Sequence, residues 1–520
     1  MKRFRKPILW VFLSIGIILT SLVFVHFISL EKEPVSKDWS REFDLNLKSD
    51  DKTVPFQVNN EDSLTFYTSN NEGINSVTLD DDYKILENQS IKLDTSPEFS
   101  IWTNGKKFLY VNSKNELHHY IESNNKDTVI DDNITGYMAN KNTVVYWKDK
   151  SLFTINPVSM KTSKVKDFDK RINRVVLEDQ SLLVITNEKQ AFDGTLLIPE
   201  KEKYRSYEVF AMETEKISQR FTNFDYILED ENMELVYTIY DVSEKAHTPY
   251  YLSGTITKLH TKKPKTSNFY PAGSNVRIEN PNYLNIYQND GKVNILFSAQ
   301  GRVSSFKTET NVFNATLNDN KWKANQLSRT ANRSSNPFQF EDGKIFWQET
   351  QPLEDAKVNY SLMGITTDKD GIARSKEINK DDIKTALSHT GLALAMGIMT
   401  LLVAMVWVTP AGIFIMIMYM FNTNAIEQGK RWVLVTTLSL YFITQLFIIQ
   451  MQMNDVFYMF APDYLIFDGS SYILPFLIGA ISVLIIKMFR ISKDHLLAKL
   501  SYTIAMNVLI VTLLIGPYRF

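Results

Sequence analysis

A chain of 520 residues, 12% of them aromatic, has enough apolar material for a large buried core and is not disordered in composition. It contains no cysteine, which excludes disulfides, thiolate catalysis, lipobox lipidation and cysteine-ligated zinc or iron–sulfur centres. The formal charge of −2 is unevenly spread: residues 31–385 carry eight more acidic than basic residues, so that region has no net electrostatic reason to hold nucleic acid.

The first element is apolar. Lys2, Arg3, Arg5 and Lys6 precede an uncharged run from Ile8 to Leu30, long enough to cross a hydrocarbon core of ~30 Å. No A-x-A cleavage pattern precedes Glu31, so the run is expected to stay as an anchor. The basic cluster then keeps residues 1–6 in the cytoplasm, residues 7–30 form the transmembrane anchor, and residue 31 emerges outside.

Residues 31–385 read as an extracytoplasmic all-β domain. Alternating β-branched and aromatic residues recur between polar turns, as in Phe108-Leu109-Tyr110-Val111 followed after a turn by Leu117 to Ile121. Comparable first strands begin near Leu64, Val144, Leu182, Leu235, Val293 and Ile345, a mean interval of about 47 residues. That interval suits one four-stranded sheet with its turns, which predicts a β-propeller of about seven blades; stacked β-sandwiches are the alternative. Two spacers, Gln190 to Arg205 and Leu259 to Asn282, are longer than a hairpin needs; they read as length drift in solvated loops, with protruding insertions that carry binding as the alternative.

Four more apolar stretches follow, predicting transmembrane helices at 386–421, 432–453, 471–489 and 497–517. Lys430 and Arg431 lie in one connecting loop, and Lys487, Arg490, Lys493 and Lys499 in another. The loop between, 454–470, has Asp455, Asp463 and Asp468 and no basic residue. Alternating spans place both basic loops inside. Thr409-Pro410-Ala411-Gly412 raises the alternative that 386–421 is two short helices, which would invert the later spans.

Chemistry is sparsely signalled. Asp368, Asp370, Gly371 and Glu377 take four positions of a calcium loop, but Thr366 stands at its first position. Strand-like flanks, Leu362 to Ile365 and Ile372-Ala373, favour a plain β-turn at 368–371. Asp80-Asp81-Asp82 and Asp131-Asp132 read as solvated turns, and His118 and His119 point to opposite faces of a strand. Trp102, Trp147, Trp322 and Trp347 read as core. Within the spans, Gln445 and Asn507 are placed to join helices by hydrogen bonds. Ala393, Gly397, Thr400 and Ala404 share one helix face and predict close helix packing.

The expectation is a multi-pass bacterial membrane protein, with no catalytic role and no cofactor. Its propeller-like outer domain would bind, scaffold or sense at the cell surface. Expected partners are the lipid bilayer, a protein or cell-envelope ligand outside, and a membrane protein through the second helix, with no nucleic acid. Alternatives are a permease-type subunit of an ATPase-driven system, for which Ile491 to Leu500 is the candidate coupling helix, and a glycan-processing envelope enzyme.

Overall fold

The computed structural model describes residues 2–51, 53–60, 63–80, 83–201, 203–272, 276–304, 307–318, 321–330, 332–341, 343–352, 358–378, 380–453, 457–458, 461–488 and 496–519. The chain divides into two compact units, a β unit of Pro34–Val303 and Lys307–Lys376 and a helical unit that includes Met1–Glu33 and Glu377–Phe520.

The β unit is a seven-bladed propeller, each blade built on four antiparallel strands, with a fifth strand added to one of the sheets. In blade 1 the strands are Phe56–Asn60, Ser63–Asn70, Gly73–Leu79 and Ile85–Ile91; in blade 2, Trp102–Thr103, Lys107–Val111, Leu117–Ile121 and Lys126–Asp131. Blade 3 has Gly136–Ala139, Val144–Lys148, Ser151–Ile155 and Thr162–Asp167, and blade 4 Arg171–Glu178, Ser181–Glu188, Ala191–Glu200 and Lys203–Glu213. Blade 5 runs Gln219–Glu229, Asn232–Asp241, Ala246–Thr255 and Lys265–Thr266. Blade 6 runs Asn282–Asn289, Lys292–Ser304, Lys307–Asn318 and Lys321–Gln326, with Phe269–Pro271 added in parallel outside the last.

Blade 7 closes the ring from both ends of the domain. Its inner three strands are Ser334–Glu341, Lys344–Pro352 and Val358–Thr366, and its outer strand is Phe43–Ser49. Ser40 tightens the join: its amide donates to the Thr366 carbonyl at 2.7 Å, and its Oγ accepts from the Thr366 amide at 2.9 Å.

Each strand start read from the sequence falls on the second strand of a blade, not the first. The second strand has a strand on both edges and a blade against both faces, so it is the most continuously buried. In blade 4, Ser181 to Thr186 are all buried. Such a strand loses alternation and shows as an apolar run. First strands are more polar because they ring the axis, where those of blades 3 to 7 touch in succession. The apolar clusters lie in the wedges between blades. Phe66 of blade 1, for example, packs edge-on against Phe346 of blade 7 at 4.8 Å. Gly136 is required by such packing, since a Cβ there would lie 2.0 Å from the Trp147 ring.

Both long spacers are regular structure, neither solvated loop nor separate insertion. Residues 191–200 and 203–213 form a long outer hairpin of blade 4, and 259–271 holds a 3-10 turn, the outer strand of blade 5 and the added strand of blade 6. Long strands in blades 4 to 6 stretch the repeat, which is why the sequence showed length drift there.

The helical unit contains α1 (Lys2–Lys32), α3 (Lys380–Phe421), α4 (Thr423–Glu427), α5 (Arg431–Gln452), α6 (Ser470–Met488) and α7 (Leu496–Leu514). A further helix, α2 (Lys369–Ser375), belongs to the β unit. Five of the helical unit's helices, all but α4, are long and apolar enough to cross a membrane. α3 is a single helix through Pro410, where Thr409 Oγ1 donates back to the Met405 carbonyl at 2.6 Å. The short α4 was not foreseen. Asn422 caps it by accepting from the Ala425 amide, and Ala425 and Ile426 are buried against Val433, Leu496 and Leu500. Of the coupling-helix candidate, residues 491–495 lie outside the described residues, and Leu496 to Leu500 are the first turns of α7 itself.

Candidate functional site

The propeller's outer rim holds a cleft. About 430 Å3 in volume, it opens between the outer strands of blades 3 and 4 and the turn Ile256 to Thr261 of blade 5. Lys166 and His260 supply basic groups. Thr195, Ser206, Tyr207 and Thr257 bring hydroxyl-bearing side chains, and Glu208 is the one carboxylate in the lining. Lys166 Nζ lies 3.4 Å from Ser206 Oγ, which ties blade 3 to blade 4. The Arg205 guanidinium stands 5.1 Å from the centre of the Tyr207 ring. Both stretches that the sequence singled out contribute, Thr195 from the first and His260 from the second. They meet because consecutive blades put their outer edges side by side, a proximity that linear spacing does not show.

A second polar region lies on the inner ring. Asn223 and Asp225, two apart on one strand of blade 5, point to the same side and meet the bare edge of the Asn282–Asn289 strand. Asn223 Nδ2 donates to the Leu284 carbonyl at 2.9 Å, and Asp225 Oδ2 accepts from the Ile286 amide and from Asn285 Nδ2, each at 2.8 Å. Arg174 of blade 4 donates to the Thr222 carbonyl at 3.1 Å in the same manner. These side chains satisfy backbone groups that an inner edge strand leaves open. Enclosure by protein raises the Asp225 carboxyl to about 7, with the Glu178 charge adding to it, and the Glu178 carboxyl to about 7, with the Asp179 charge adding to it. The ring is therefore a structural seam that also carries titratable carboxyls.

The calcium candidate is not assembled as read. Leu362 to Ile365 is strand, but Ile372-Ala373 lies in α2, so residues 369–375 form a helix and not a turn between strands. Asp368 precedes that helix, with its amide on Thr366 Oγ1 at 3.1 Å, Asp370 lies in its first turn, and Glu377 follows it. Among the described residues no group of three or more His, Asp or Glu is arranged to hold a metal ion. Asp131 takes the Tyr146 hydroxyl at 2.8 Å and pairs with Lys148, while Asp81 and Asp82 lie outside the described residues. His118 Nδ1 is 2.9 Å from Asp127 and its ring stacks on Tyr110. Trp102, Trp147, Trp322 and Trp347 are all buried.

In the helical unit the small-residue face is enclosed. Ala393, Thr400 and Ala404 are buried, and a Cβ on Gly397 would lie 2.9 Å from the Thr512 carbonyl oxygen. A Cβ on Gly516 would likewise lie 2.9 Å from the Gly397 Cα, so neither position has room for a side chain. Nearby, three helices share one polar cluster. Trp407 of α3 donates to the Tyr441 hydroxyl of α5 at 3.2 Å. That hydroxyl donates to Asn507 Oδ1 of α7 at 2.7 Å, and Gln445 donates to the same oxygen at 2.5 Å.

No protein-family model matches the chain. No curated protein matches it either. Among solved structures, the N-terminal domain of Nup159 is similar at 8% identity and a TM-score of 0.37, over 64% of this chain and 96% of that one. A chain from an S. cerevisiae structure of Dbp5 bound to Nup159, Gle1, IP6 and ADP is similar at 9% identity, with the same TM-score and coverage. Likeness at that distance carries no argument about function.

Proposed function

We propose that this protein is a multi-pass membrane protein that holds its propeller outside the cell as a binding or scaffolding module, acting by recognition and not by catalysis. The observation that carries this reading is the contrast between its two units. The propeller closes its apolar residues into the wedges between blades. The helices instead leave large apolar side chains bare, with Trp10 65%, Phe447 65%, Phe476 75% and Phe421 82% exposed. A water-soluble surface does not sustain that, whereas a bilayer covers it. The basic loops around Lys430 and around Lys487 and Lys499 set the orientation, with residues 1–6 inside. The rim cleft supports recognition, because its lining pairs hydroxyls and cations with the single carboxylate of Glu208, short of the two facing carboxylates that glycoside hydrolysis requires.

The absence of native cysteine makes the test clean. An impermeant maleimide applied to intact cells should label Gln300→Cys, which is exposed on the propeller, and spare Gln428→Cys, exposed beyond α4. Labelling of Gln428→Cys in sealed cells would overturn the topology.

A further inference from the structure

The propeller region is acidic as a whole, yet the rim around the cleft is not. Three edge segments reach it, Thr162–Asp167 on blade 3, 203–208 on blade 4 and 256–265 on blade 5: Lys166, Ser206 to Glu208, Ile256, Thr257 and His260 line it, and Lys265 continues the basic rim toward the next pocket. Together they hold Lys164, Lys166, Lys203, Arg205, Lys258, Lys262, Lys263 and Lys265 against only Asp167 and Glu208. Lys164 is paired with Asp167 at 2.7 Å, and Lys262 Nζ donates to the Ser253 carbonyl at 2.6 Å. Lys258, Lys263 and Lys265 are exposed and make no ion pair among the described residues. Unpaired cations held side by side repel one another, so an anion placed along them is attracted by all of them at once.

We propose that this rim is the docking groove for an anionic, hydroxyl-rich polymer of the cell envelope, an assignment that rests on reading the propeller as a binding domain. A chain and not a small anion fits the layout, because the cations span three consecutive blades. The hydroxyls follow from the cleft lining. Thr195, Ser206, Tyr207 and Thr257 both donate and accept. Glu208 only accepts when ionised, so it repels a bare polyanion and welcomes a polymer hydroxyl. The Tyr207 face, with Arg205 beside it, offers a flat surface on which a polyol or sugar ring can rest.

The test uses the full-length protein in detergent with four soluble probes: poly(glycerol phosphate), polygalacturonate, inorganic polyphosphate and single-stranded DNA. The first two separate a phosphodiester polyol from a carboxylated glycan as the source of charge, and binding of either one supports the groove. Replacing Lys258, Lys263 and Lys265 together by alanine should weaken that binding at least about tenfold at low salt and flatten its salt dependence. The side chains are exposed, so the melting temperature should not move, and Ser206→Ala should weaken the hydroxylated probes while leaving any residual polyphosphate binding alone. Wild-type affinity in the triple variant would sink the proposal, as would equal affinity for DNA or polyphosphate and the hydroxylated probes. If neither hydroxylated probe binds, the ligand class is wrong. Capture of a neutral envelope glycan or an envelope protein by the same sample would then leave the broader binding reading standing.

Discussion

Blade 7 is where the ring closes, and it buries a carboxyl. Glu349 on the strand Lys344–Pro352 is 5% exposed and accepts a hydrogen bond from Asn332 Nδ2 at 2.7 Å. Burial lifts its pKa from 4.5 to about 7; Asn332 and Thr330 oppose the rise, and the charges of Glu42 and Asp44 on the incoming N-terminal segment add to it. The folded protein therefore keeps this proton when the unfolded chain has lost it. Stability from the neutral carboxyl is complete below about pH 4.5, declines as pH rises to about 7, and is gone above that. The difference between 4.5 and about 7 corresponds to about 3 kcal/mol. Glu349→Gln keeps the acceptor for Asn332 and removes the charge. It should match the wild type near pH 4.5 and exceed it by about 3 kcal/mol at pH 8.5, or roughly 4 °C in melting temperature for a unit of this size. The assay is thermal unfolding of the full-length protein in detergent at both pH values. Hydrogen exchange then locates the gain at the amides of Phe43–Ser49. Asp225 and Glu178 tilt the wild-type curve in the same direction, so the difference between the two proteins is the measured quantity. If the curves of wild type and variant run parallel from pH 4.5 to 8.5, the argument about Glu349 is wrong.

Other outcomes follow from the same packing. Gly397→Leu should lower the aggregation temperature of the detergent-solubilised protein while leaving the propeller's melting transition in place, because its Cβ already meets the Thr512 carbonyl oxygen; an unchanged aggregation temperature counts against the contact. Asn507→Val removes the acceptor shared by Tyr441 and Gln445 and should destabilise the helical unit by about 1–2 kcal/mol, read by resistance to a denaturing detergent. Residues 36–380 made alone should give a soluble, β-rich monomer with one cooperative transition, and the same melting temperature in EDTA and in millimolar calcium. A rise of many degrees with calcium would revive the site at Asp368, Asp370 and Glu377.

How much was legible in the sequence depended on whether a signal is local. The seven apolar runs were visible because a strand walled in on both faces must be apolar along its length, so composition records it without alternation. The five long apolar helices were visible for a similar reason, since uninterrupted apolar runs of that length show in composition alone. Gln445 and Asn507 stood out because a side-chain amide in an apolar helix is costly unless it finds a partner, and the structure pairs them. What lay beyond reach depended on neighbours distant in the chain. Phe43–Ser49 pairs with Val358–Thr366 across more than 300 residues, and nothing in either strand names the other. The strand taken as first in each blade proved second, because an inner strand has a sheet neighbour on only one edge and lacks the continuous apolar run that marks the second strand. Charge shows the same division. The sequence fixes a net acidic propeller region, but only the alignment of three blade edges gathers Lys166, Arg205 and Lys258 around one cleft, because electrostatic fields add by distance in space and not by position along the chain.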